Sequence, residues 1–377
     1  MIHYSAPGKL FVSGEWAILE MGTKGIVAAV NSRVHVFVEP LAGYNGISVT
    51  AREFKITDAR AKMLNGKLVF MNADDKTKET LRLLGEAVTV AVKYAEEKGL
   101  KFVPFKITTE SRETLVSVDG EHTKVGFGSS AAVVVAAIAA ILDLHGHQAT
   151  NEEIYKLAAI AHYTGQGKVG SGFDVAASTF GGVFVYSRFD PEWLVRELEK
   201  KRLSDVVSEQ WPSFHVEKLA NPSGLMLLVG WTKEPASTST MVKRMNEFKA
   251  INKERYAGLM QAIGGIAEST VEAWKNGDKG RIIALLRENE DALRRLGDET
   301  GVPIETPDLR KLAEAANACG AAGKLSGAGG GDCGIAVCFD EATARRVREA
   351  WDAAGIRTLD VAIDGSGVKQ DYSNTRK

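Results

Sequence analysis

Cysteine is scarce: the chain has three in 377 residues, and Cys319, Cys333 and Cys338 can neither all pair with one another nor supply the CxxC spacing of a zinc or redox site. A reduced, cytoplasmic compartment is expected. An excess of one charge is lacking too, with 47 Lys and Arg against 48 Asp and Glu, so the electrostatic footprint of nucleic-acid or anionic-membrane binding is missing. No apolar run reaches the roughly 20 residues that span a bilayer, and the opening MIHYSAPGKLF has no basic stretch followed by an apolar one. Neither nucleic acid nor membrane is an expected partner. There is no repeat and no low-complexity linker, and 45% hydrophobic with 25% charged residues is far from the composition of disordered chains. The length suggests two domains.

What is present alternates between strand and helix signals. Residues 25–38, GIVAAVNSRVHVFV, read as strand, 77–95 as a helix with one buried stripe, and 104–109 as strand again. AAVVVAAIAAILDL after residue 130 is apolar all round yet too short to cross a membrane, so it reads as a buried helix. Thr150 with Glu153 makes a capping box for the next helix, and 182–187 reads as a strand closing the first domain. In the second half 225–231 reads as strand, 252–276 and 278–296 as helices, the latter stopped by Gly297. Thr306-Pro307 launches a helix to about Cys319; the run CGIAVCF, a helix over 341–354 and a strand over 357–363 complete the pattern. Helices grouped late favour α+β. The reading divides the chain into an N-terminal domain 1–188, a C-terminal domain 189–363 and a flexible tail 364–377. His145 and His147 read as surface residues, Cys333 and Cys338 as core thiols, and Trp231 as packing.

The chemistry-bearing candidate is the run Gly126-Phe127-Gly128-Ser129-Ser130 before the apolar helix. Glycine lets backbone N–H groups approach an anion, and a helix start adds the positive end of its dipole. A tight turn packed on a helix has the same local form. Lys124 just upstream adds a point charge, and the two hydroxyls suit Mg²⁺ or phosphate oxygens. The run is neither a Walker A loop nor a dinucleotide GxGxxG.

Four segments make the signal specific: Pro7-Gly8-Lys9 with Gly14-Glu15, KVGFGSSAA, GKVGSGFDVAAS at 167–178, and KLSGAGGGDCG at 324–334. In order and spacing they resemble the motifs of the GHMP small-molecule kinases over nearly the whole chain. Within that superfamily the phosphomevalonate kinases look most similar, on GEWAILE at 14–20, Lys124, QGKVGSGFD at 166–174, and GWTKEPASTS at 230–239 with the DCG ending. The resemblance implies an N-terminal α+β ATP-binding domain, a C-terminal ferredoxin-like domain and an active-site cleft between them. It implies ATP and Mg²⁺ as cofactors and phosphorylation of (R)-5-phosphomevalonate to (R)-5-diphosphomevalonate, in the mevalonate route to isoprenoids, by a monomer or homodimer. Carried over residue by residue, Lys9, Lys124 and Asp174 would be catalytic, with Lys9 and Asp174 paired. Gly126, Phe127, Gly128, Ser129 and Ser130 would cradle the ATP phosphates, Ser130 also meeting Mg²⁺. Glu15, Trp16, Lys168, Ser171, Ser237, Thr238, Gly327, Ala328, Gly329 and Asp332 would lie on the substrate side. Two positions depart from the pattern: Gln166 stands where mevalonate kinases place a metal-binding Glu, and Trp16 where Tyr is commoner. A mevalonate kinase or another kinase of the superfamily is the alternative, and a nucleotide-binding regulator without turnover is the alternative from another class.

Overall fold

The computed structural model of the chain describes residues 1–111, 115–118, 121–167, 170–232 and 238–371, with the backbone alone in 115–118, 121–124 and at 239. The first half runs β1 (Ile2–Ser13), β2 (Gly25–Pro40), β3 (Ile47–Ala51), β4 (Ile56–Leu64), β5 (Lys67–Phe70), α1 (Asp75–Thr80), α2 (Arg82–Glu97), β6 (Phe105–Glu110), β7 (Leu115–Val118) and β8 (Glu121–Lys124). It continues with α3 (Ser129–Leu144), α4 (Asn151–Gly165), α5 (Phe173–Phe180), β9 (Val183–Ser187), α6 (Pro191–Lys200), α7 (Leu203–Ser208) and β10 (His215–Leu219). The second half holds β11 (Met226–Trp231), α8 (Thr238–Ile251), α9 (Lys253–Lys275), α10 (Lys279–Thr300), α11 (Pro307–Ala318), β12 (Ala322–Leu325), β13 (Cys333–Cys338), α12 (Glu341–Ala353), β14 (Arg357–Leu359) and β15 (Lys369–Gln370).

The larger sheet follows the order β10-β9-β2-β6-β3-β4-β5, with β1 added on β2 and β15 on β1. Only the β3–β6 pair is parallel. Strand β2 is long enough to serve two neighbours along the edge away from β1, Gly25–Ala28 pairing with β9 and His35–Pro40 with β6. Helix α3 is the centre of this half: its alanines and branched residues from Ala131 to Leu142 are buried almost all round, against β1, β2, α2 and α4. Small alanines allow that close approach, while each fully buried Val, Ile or Leu contributes about 1.5–3 kcal/mol. The smaller sheet, β12-β13-β11-β14, is antiparallel throughout and has the β-α-β-β-α-β connectivity of a ferredoxin-like domain. An apolar cluster joins the halves: Leu10, Val12, Ile26 and Val30 of the first pack with Val229, Trp231, Trp274 and Ile335 of the second.

Several expectations are corrected. The boundary at 188 falls too early, because β10 pairs with β9, and Leu194, Val206 and Trp211 join the first core; the changeover follows Leu219. The flexible tail is corrected for 364–371: Arg33, mostly buried, needs acceptors and finds them in Asp364 (2.5 Å) and the carbonyl of Gly367 (2.8 Å), after which β15 pairs with β1. The remaining residues, 372–377, lie outside the described part. Gly297 does not stop α10, which continues to Thr300 and ends on Gly301; its bare Cα lets Val302 and Ile304 pack close. The helix over 77–95 is divided at Leu81, and the last strand is shorter than 357–363. His145 is buried, its ring nitrogens meeting the Ile141 carbonyl and the Val103 amide. The capping box at Thr150 and the cap at Thr306 are formed as expected. Among the described residues no helix is long and apolar enough to cross a membrane.

Candidate active site

A cleft of about 640 Å³ opens where the starts of α3 and α5 face the loop between β12 and β13. Strand β1 enters it through a bulge between Ala6 and Gly8. Bulges re-aim the side chains that follow, and here Lys9 is turned onto the glycine run. Its amide donates to the Phe127 carbonyl at 2.7 Å, and its ammonium donates to the Gly126 carbonyl, also at 2.7 Å. The two loop glycines are used differently. Gly128 has φ +79° and lies against the Lys9 stem, while the Asp332 carboxylate occupies the place where a Cβ on Gly126 would sit.

Helix α3 begins at once, with Ser129 and Ser130 in its first turn. The Ser129 hydroxyl is buried with no hydrogen-bond partner, and the Ser130 hydroxyl lies 3.5 Å from His162 Nε2. His162, on α4, is buried; its Nε2 is 3.1 Å from the Gln166 amide nitrogen and 3.7 Å from Asp174 Oδ2. Asp174 stands in the first turn of α5, where its other oxygen accepts the Val175 N–H at 2.9 Å and its charge complements the helix dipole. Behind it Tyr186 donates to the Ser171 carbonyl at 2.5 Å and meets the Tyr155 hydroxyl at 3.0 Å. Burial raises both phenol pKa values, so they stay protonated and fix the 170–172 turn.

The opposite wall is tied to the first by polar links. The Ser326 hydroxyl donates to the Phe11 carbonyl and accepts the Phe11 N–H, and the Trp16 indole donates to the Ala328 carbonyl at 3.1 Å. Trp16 and Asp332 both take positive φ, +63° and +66°, a backbone cost of about 1–3 kcal/mol each. Beneath the loop Lys324 and Glu15 form a fully buried ion pair. Lys324 also donates to the Leu325 carbonyl, and the Leu325 N–H donates to Glu290. Burial pushes the Glu290 carboxyl up to about 8, against the opposing pull of Lys324. The arrangement therefore offers loop amides, a helix N-terminus and an ammonium to an anion, with two hydroxyls and a carboxylate alongside.

Comparison with known proteins agrees with this geometry. Residues 85–182 match the model of the GHMP kinases N-terminal domain, and residues 270–357 that of the GHMP kinases C-terminal domain. A phosphomevalonate kinase of Streptomyces sp. (strain CL190) is 33% identical over 368 residues, covering 96% of this chain and 97% of its own. The chain belongs to the GHMP kinases. Among solved structures, the Lin0012 protein of Listeria innocua superposes on this GHMP kinase with a TM-score of 0.89 at 30% identity, covering 99% of both chains. The Streptococcus pneumoniae phosphomevalonate kinase in complex with phosphomevalonate and AMPPNP gives 0.81 at 26% identity, covering 96% of this chain and all of its own.

Most of the residues singled out from the sequence of this GHMP kinase meet in the one cleft: Lys9, Glu15, Trp16, Gly126, Gly128, Ser129, Ser130, Ser171, Asp174, Thr238, Gly327, Ala328, Gly329 and Asp332 all line it. Phe127 does not, because its ring is buried in the cluster joining the two halves and only its carbonyl serves the site. Lys9 and Asp174 share the cleft, where the Lys9 ammonium takes the Gly126 carbonyl and Asp174 faces His162. Glu15 is likewise engaged by Lys324, with one oxygen, Oε2, left without a partner. Lys168, Ser237 and the side chain of Lys124 lie outside the described residues. Sequence reasoning passed over His162 and Lys324. His162 carried a signal, lying four residues before Gln166 on one helix face; Lys324, inside an apolar strand, carried none that points to Glu15.

Proposed function

We infer that this chain is an ATP-dependent phosphotransferase whose acceptor is the phosphate of 5-phosphomevalonate. The observation that carries the reading is the convergence of Lys9, the 126–130 loop, Asp174 and the 327–332 loop on one cleft, in a chain 33% identical to a phosphomevalonate kinase along almost its full length. Joining two polyanions is opposed mainly by charge repulsion, so positioning and fixed positive charge carry the catalysis. The amides at the start of α3 and the free Ser129 hydroxyl would bind the ATP phosphates. Lys9 would leave the Gly126 carbonyl to bridge donor and acceptor. Lys124 and Lys168 belong to the same proposal by their places in the sequence, as does the 237–238 hydroxyl pair for the acceptor.

Mg²⁺ fits the residues present: the Ser130 hydroxyl and an Asp174 oxygen both lie within 3.7 Å of the same His162 nitrogen, and oxygen donors suit a hard cation. They would hold it, and it would neutralise phosphate charge. Asp174 keeps a second task, positioning His162 and the 170–174 turn. Three unpaired thiols suit a reducing cytoplasm. The test is ADP release from ATP with 5-phosphomevalonate and, separately, with mevalonate. Turnover is expected with the phosphorylated acceptor alone; turnover on mevalonate without it would replace this reading by mevalonate kinase.

A further inference from the structure

Far from the cleft, three strands bring together donor atoms that the kinase reaction does not use. His3 lies on β1, about six residues and hence roughly 20 Å along the strand from Lys9. Asp371, just past β15, donates its amide to the His3 carbonyl, so the two side chains are cross-strand neighbours. His35 of β2 lies diagonally beside His3, whose direct partner on that strand is Phe37, stacked under the His3 ring at 4.2 Å. Asp371, His3 and His35 thus form a row on the face of the sheet opposite Val36 and Val38, which enter the main core.

His3 Nε2 and His35 Nδ1 are 3.1 Å apart, and Asp371 Oδ2 is 3.7 Å from the first and 3.9 Å from the second. Four ligands at zinc's usual bond lengths of about 2.0–2.1 Å stand about 3.3 Å from one another, so this triangle has the size of one face of such a tetrahedron. A second observation points the same way. Asp371 Oδ2 is buried and has no hydrogen-bond donor, while the other oxygen faces Lys369 at 3.9 Å. An orphaned buried acceptor is costly, and a cation between the three atoms would satisfy it.

We propose that His3, His35 and Asp371 form a binding site for a borderline divalent metal of the zinc class, which staples the C-terminal strand to β1. Two imidazoles and one carboxylate select Zn²⁺ and its neighbours over Mg²⁺, which prefers oxygen donors and keeps its water. Water completes the coordination, because the three side chains remain 16–25% exposed on that face of the sheet. The segment it pins runs back through Gly367, which packs on the backbone of Thr179 at the far end of the helix that begins beside Asp174.

The test uses the full chain without a histidine tag, stripped with EDTA and titrated with ZnCl₂ in excess MgCl₂ by calorimetry, with thermal unfolding alongside. One zinc per chain and a raised Tm are expected. His35→Gln and Asp371→Asn, checked in EDTA for a Tm near that of the parent, should each weaken binding by at least about tenfold; if His35→Gln fails to fold, Asp371→Asn decides alone. Binding unchanged in Asp371→Asn, no zinc bound by the parent, or a thiolate charge-transfer band when Co²⁺ replaces zinc would each overturn the proposal.

Discussion

Lys324 is the residue whose removal has the most calculable consequence. Its side chain is 0% exposed and that of its partner Glu15 1%, so water offers neither charge a substitute partner. Lys324→Met keeps the length of the side chain and most of its packing while deleting the charge. It leaves a carboxylate enclosed, with one oxygen already lacking a hydrogen bond. Breaking a buried pair by removing one member costs about 3–5 kcal/mol, a large part of the 5–15 kcal/mol that typically holds a domain folded. Glu15→Gln in the same chain removes the stranded charge, so the double variant should recover most of the loss. The assay is urea unfolding at neutral pH followed by circular dichroism, read on the first transition because two halves need not unfold together. A Lys324→Met loss under about 1 kcal/mol, or a double variant whose loss is the sum of the two single losses, would refute the reasoning, since the first denies burial and the second denies coupling.

Glu290 gives a pH test of the same region. Burial pushes its folded-state carboxyl up to about 8, from the 4.5 of an exposed glutamate, so between those values the folded chain keeps a proton that the unfolded chain has lost. Stability is greatest on the acid side and falls as pH rises through that window; Glu290→Gln should flatten the slope and be the more stable form at the alkaline end, and urea midpoints showing the parent's slope unchanged would refute it. In the cleft, Asp174→Asn should lower kcat yet leave the acidic limb of kcat/KM in place, because the nucleophile is a phosphate whose second pKa is about 6. The limb should equally survive His162→Gln; its disappearance in either variant would assign it to the enzyme and make that residue part of a general base.

The contrast between what the sequence displays and what it hides follows from the range of the interactions involved. Gly126, Gly128 and Ser130 are legible because backbone freedom, helix starts and anion binding demand particular residue types at short spacings, whereas Asp174 and Asp332 stand out only through the resemblance to the GHMP kinases. The α+β class is legible for a similar reason, since strand and helix periods are local. Glu15 and Lys324 are 309 residues apart, and each taken alone resembles an ordinary charged residue. The tail was misread on composition: DGSGVKQD is polar, but Arg33 imposes a demand for acceptors that only the folded sheet reveals. That Lys9 meets the glycine run is equally hidden, because the bond from its amide to the Phe127 carbonyl, which sets the strand so that its ammonium reaches Gly126, joins residues far apart in the chain.

The buried pair also explains how two separately cored halves present one site. The apolar cluster between them supplies adhesion, but packed hydrophobic surfaces tolerate rearrangement at little cost. A reaction between two phosphates needs its walls held within about 0.5 Å. Three directional links span the cleft beside the 326–332 loop: Glu15 to Lys324, Ser326 to Phe11, and Trp16 to Ala328. Each is satisfied in one register only, and two sit on the GEW segment, which carries Trp16 in a costly positive-φ conformation. An apolar replacement for the ion pair is often neutral or favourable for stability, so the pair's value lies in geometry. Its loss should therefore raise KM and lower kcat together even in the stability-restored double variant, as the loop facing the glycine run loses its fixed position.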